Sequence, residues 1–170
     1  METKPNSNRI FSLLVLYDMQ SKYLDNALDG ISDDDAHTRL GTKANHVSWL
    51  TGSIVEQRFE MARMLGGKAG TAGQQQVAHD LFKDNKGIQD DLTYPSLDIF
   101  KQDWKNITPV LRNTLMHISD EKLNESFEMM PNMKMTYFDL LTFIIYREAN
   151  IIGQVALWRR LLGYDAMKYM

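Results

Sequence analysis

Apolar residues recur along the chain at spacings of three and four, and the longest such seam lies near the C-terminus. It runs Tyr137, Leu141, Ile144, Glu148, Ile151, Val155, Trp158 and Leu162, the alternation that keeps one face of a helix on a partner. A second apolar line through Leu140, Ile145, Ile152, Leu157 and Leu161 predicts that this helix touches neighbours on more than one side. Arg147 and Glu148 stand together in its middle. An unpaired buried charge there would cost several kcal/mol, so the pair is the first place to look for function.

Three further periodic segments come earlier. Ile10, Leu13, Leu14, Tyr17, Leu24 and Leu28 predict a helix over 8–28, capped by Asn6 or Ser7 and stopped by Gly30. Ser32 with Asp33, Asp34 and Asp35 reads as the cap and acidic first turn of a short helix rather than as a cation site. Val47, Leu50, Ile54, Met61 and Met64 or Leu65 predict a second long helix from about 42 to 65, with Gly66 and Gly67 as its stop. A third, over 96–117, starts at Ser96 and carries Leu97, Phe100, Trp104, Ile107, Leu111 and Leu115, with a kink or restart expected at Pro109. Ser119 opens a short turn, Pro131 and Asn132 form a connection, and Thr136 with Asp139 caps the last helix, 136–162.

Between Gly66 and Tyr94 the composition shifts to Gly, Gln, Lys and Asp, with a weak helical piece at 74–82 inside a long crossover. No segment alternates at a sustained period of two, so the expected fold class is all-α: a four-helix bundle with a long crossover between helices 2 and 3.

Composition then excludes several functions. A chain of 170 residues with 44% apolar content suits one domain, 1–170. The net charge of −3, with no Lys/Arg cluster clear of acidic neighbours, argues against nucleic acid. Zero cysteines remove disulfides, thiolate metal sites and a cysteine nucleophile, and agree with a cytoplasmic protein. The run IFSLLVLY lacks a cleavage pattern, and no uninterrupted apolar run of about 18 residues supports a membrane span. The glycines of GGKAG lack the Lys-Ser/Thr ending of a phosphate loop and follow a helix, not a strand.

Two stretches carry a resemblance. Asn45, Trp49, Leu50 and Gly52 match the pattern N-x-x-x-W-L-x-G-H, and Gly153, Gln154, Arg159, Arg160, Leu162 and Gly163 match the second half of H-x-x-x-H-x-G-Q followed by R-R-x-L-G. In these motifs the chain resembles the DinB/YfiT-like helical-bundle superfamily. The resemblance implies a four-helix bundle, a zinc or nickel ion held by three histidines, and in some members thiol-dependent transferase or hydrolase activity. At the three ligand positions this chain has Ser53, Arg147 and Ile151. Neutral serine is a poor ligand, arginine is a permanent cation and isoleucine has no donor, so the inherited site is expected to be lost.

Nor do the histidines His37, His46, His79 and His117 supply an i,i+3 or i,i+4 pair. His46 is the one expected near the old site, although it lies seven residues before Ser53, about 10 Å along a helix. Ser53 reads as a filler of the vacated space, and Glu148 as a salt-bridge partner with general base as the alternative. Arg147 should find Ser53 or a carboxylate, with Glu148, Glu56 and Glu60 as candidates. Tyr17, Trp49, Tyr146 and Trp158 fall on helical seams and read as core. The leading functional expectation is a metal-free bundle binding a small ligand or a protein partner at the old cleft. The alternatives are a zinc- or nickel-dependent thiol transferase or hydrolase using other ligands, and a structural homodimer. The wide apolar surface of the last helix predicts a homodimer in any case.

Overall fold

The computed structural model describes residues 4–66, 80–82 and 86–169. Its elements are α1 (Asn8–Leu28), α2 (Asp33–His37), α3 (Val47–Met64), α4 (Leu97–His117), α5 (Asp120–Asn124), β1 (Ser126–Met130), β2 (Met133–Thr136) and α6 (Tyr137–Leu161). Helix α1 packs on α6 and α4, and α3 packs on the same two helices, so each long helix has two long neighbours around a shared core. The protein is predominantly helical. The weak helical piece expected at 74–82 and the GGKAG run lie almost entirely outside the described residues.

The helix starts follow from their caps. Ser7, Ser32 and Ser119 accept backbone N–H bonds, and Thr136 and Asp139 form a reciprocal capping box. Ser96 makes no such bond; Asp33 Oδ1, from α2, accepts the Leu97 N–H at 2.7 Å instead. The acidic turn of α2 thus serves the start of α4. Helix α3 begins later than the expected residue 42, because Thr42 closes a turn on Arg39 and the His46 imidazole provides the cap. Helix α4 continues through Pro109 without a restart.

The last helix ends in a Schellman arrangement: Tyr164 N–H donates to Arg159 O at 3.0 Å, and Gly163, at φ 90°, donates to Arg160 O at 3.2 Å. Buried Arg159 reaches the Ala27 and Asp29 carbonyls at the end of α1, a favourable place for a cation. By length and composition α6 could cross a membrane, a test that core helices also pass.

Two expectations need correction. The connection at Pro131 and Asn132 is the turn of an antiparallel hairpin, with Ser126 opposite Thr136 and Asn132 at φ 68°. Its strands are mostly exposed on both faces, so the sequence carries no in-out alternation to reveal them. Tyr146 is 67% exposed, whereas Tyr17, Trp49 and Trp158 are buried as expected.

Candidate functional site

Helices α3 and α6 bring Ser53 and Arg147 together from positions far apart in the chain. Ser53 is buried on the stripe of α3 that faces α6, and its hydroxyl donates to Leu50 O at 2.9 Å. Half-buried Arg147 donates from Nη2 to Ser53 Oγ at 3.3 Å, and from Nη1 to Gln57 Oε1 at 2.6 Å and Ser53 O at 3.5 Å. Burial pulls its guanidinium below the usual arginine range, an effect the Glu148 charge opposes.

Above this contact lies a cavity of about 530 Å³ between α3, α6 and β1. Ser53, Gln57 and Arg147 line it, beside an apolar wall that includes Trp49, Met61, Phe82, Phe127, Leu140 and Phe143. Behind that wall the Phe82 and Phe100 rings close on Gly52, where a Cβ would come within 2.5 Å and 2.6 Å of them. The Trp49 indole N–H is buried without a hydrogen-bond partner among the described residues.

The other expected residues are placed elsewhere. Ile151, one turn beyond Arg147, is buried but does not line the cavity. His46 is drawn into an aromatic group at the start of α3, with ring centroids 5.0 Å from His37 and 5.3 Å from Tyr94, while its Nδ1 accepts the Trp49 N–H at 3.0 Å. Burial, with the His37 charge next, pushes its pKa down to about 4. It lies away from the cavity lining. Glu148 does not reach Arg147. Both its oxygens accept from Arg58, Nε and Nη2, at 2.7 Å each, and both side chains are 0% exposed.

Arg58 is the central residue that sequence reasoning missed. Its Nη1 donates to Ser21 Oγ at 3.0 Å and Thr108 Oγ1 at 2.8 Å, and its guanidinium lies 3.5 Å from the Trp104 ring centroid and 3.9 Å from that of Tyr17. With its carboxylate fully occupied in this way, Glu148 is a structural anion and not a free base. Glu56 pairs with Arg63 at 2.9 Å, and Glu60 stands exposed on the cavity rim. Arg147 therefore takes Ser53 and Gln57, not a carboxylate, as its partners.

Chemically, the three positions do not suit a divalent ion. The Ser53 hydroxyl is already a donor to Leu50 O and an acceptor from Arg147, and Ile151 offers nothing to coordinate. Among the described residues no group of three His, Asp or Glu side chains is arranged to hold a metal. No protein-family model matches the chain, and no curated protein matches it at a significant level.

Proposed function

We propose that the chain is a four-helix bundle of the DinB/YfiT-like kind that works without the family's ion and binds a small ligand in the cavity beside Arg147. The observation that carries this reading is the Arg147 guanidinium resting on Ser53, 3.3 Å from its hydroxyl, at two of the three positions where the resemblance places metal ligands. A divalent ion about 4 Å from that cation would meet a Coulomb repulsion of about 8 kcal/mol at an effective dielectric near 20. One serine oxygen does not offset this.

Zinc and nickel titrations of the wild type and of Ser53→His/Arg147→His/Ile151→His test the reading. The wild type should show no stoichiometric binding and the triple variant should gain it. Tight one-to-one binding by the wild type, abolished by changes at these positions, would favour the metal-dependent transferase or hydrolase instead.

We also propose a homodimer. Phe143, Tyr146, Leu157 and Leu161 form an exposed stripe along α6, and Phe11, Val15 and Met19 form another on neighbouring α1. A second copy of the chain would cover this surface.

A further inference from the structure

The two central arginines are satisfied in different ways, and the difference points to a ligand. Arg58 forks onto a carboxylate through Nε and Nη2 and uses Nη1 for two hydroxyls. Among the described residues Arg147 has only neutral acceptors, Gln57 Oε1 and the two oxygens of Ser53. Among the described residues its Nε makes no hydrogen bond, and its Nη2 makes a single long one at 3.3 Å. The edge with which Arg58 grips Glu148 is thus under-used in Arg147, on a residue that lines the cavity.

The rest of the lining is arranged around that cation. Glu56 is neutralised by Arg63, and the other charged residues of the lining, Glu60, Lys86 and Glu128, are exposed. Inside, the wall is aromatic and aliphatic. A partly desolvated guanidinium with no bonded anion among the described residues is electrostatically short of one, in keeping with the direction in which burial moves Arg147. The cavity, at about 530 Å³, falls within the range of about 300–1,000 Å³ usual for small-molecule sites.

We propose that the cavity takes a monocarboxylate with an apolar body, the carboxylate forked on Nε and Nη2 of Arg147 and the body against Phe127, Leu140 and Phe143. This rests on the cavity being a ligand site. A planar carboxylate matches the guanidinium fork.

The test is a matched series, phenylbutyrate, phenylbutanol and phenylbutylamine, titrated into the full-length protein and followed by saturation-transfer NMR and tryptophan fluorescence. The acid should bind about tenfold or more tighter than the alcohol, the scale of a charge-assisted hydrogen-bonded pair. Arg147→Gln, checked for folding by its circular dichroism melt, should reduce the acid to the level of the alcohol, and Arg147→Lys should keep part of the preference. Equal binding of all three compounds, or a preference for the amine, would overturn the inference and leave the cavity a ligand site. No binding of any of them at millimolar concentration would overturn both the inference and the ligand-site reading beneath it. The wild-type series decides the matter even if a variant fails to fold.

Discussion

At the scale of single residues, the Arg58–Glu148 pair is the most consequential contact in the molecule. Two fully buried charges are expensive to desolvate, and each depends on the other. Replacing one alone, as in Arg58→Met or Glu148→Gln, should lower stability by about 3–5 kcal/mol. The double variant Arg58→Met/Glu148→Gln should lose clearly less than the sum of the two single variants. Urea unfolding of the four proteins checks this, and strict additivity would mean that the two charges are not coupled. Half of this pair was legible in the sequence, because Glu148 interrupts an apolar seam. Its partner was legible too, though unread: Arg58 fills the gap in the α3 stripe between Ile54 and Met61, four residues after one and three before the other. Adjacency misled, since Arg147 and Glu148 stand about 100° apart around a helix and look toward different neighbours.

At the scale of an element, the start of α3 shows how a cap becomes a pH-sensitive point. Accepting the Trp49 N–H at Nδ1 requires a neutral imidazole, and burial holds the His46 pKa at about 4. An unfolded histidine titrates near 6.5. Above about pH 6.5 both states are neutral and His46 contributes no pH dependence. As the pH falls toward 4 the unfolded state takes up a proton that the folded state refuses, so stability drops. The loss should not exceed about 3 kcal/mol. Asp25 and Asp103, whose carboxyls burial raises, act in the opposite direction, so the measurement must isolate His46. His46→Asn keeps a good cap and removes the titration. Between pH 7 and pH 4 the wild type should lose stability relative to this variant in thermal melts, and parallel pH curves would count against the cap's role. Most helix boundaries were legible from Ser, Thr and Gly at the ends of periodic runs. The α3 start was legible only in part, since His46 reads as a surface or capping residue but nothing in the sequence shows that Thr42 closes a turn on Arg39 before it.

At the scale of the whole molecule, the order of the long helices could be read from their seams, and the broad apolar surface of α6 rightly implied several neighbours. The hairpin left no trace, since strands exposed on both faces need no alternation. The stretch after Gly66 carries only a weak helical period at 74–82, too little to place Phe82 on a wall of the cavity. The outer stripe of α6, from 48% exposed at Phe143 to 67% at Tyr146, is what the α6 periodicity leaves over once the core is satisfied. Light scattering at tens of micromolar should show a dimer, and Tyr146→Glu/Leu157→Glu should convert it to a folded monomer. A monomeric wild type would refute the assembly, because a specific contact buries about 1,000 Å² or more and should persist at that concentration.

Arg58 belongs to α3 yet draws its partners from α1, α4 and α6. It therefore acts as a test of completeness during assembly. Any three of the long helices brought together leave the guanidinium or the carboxylate desolvated and short of partners, so partly built forms gain little from burying the centre. The same condition works in reverse: freeing one helix while the others hold is raised toward the full free energy of unfolding, which makes the four helices a single cooperative unit.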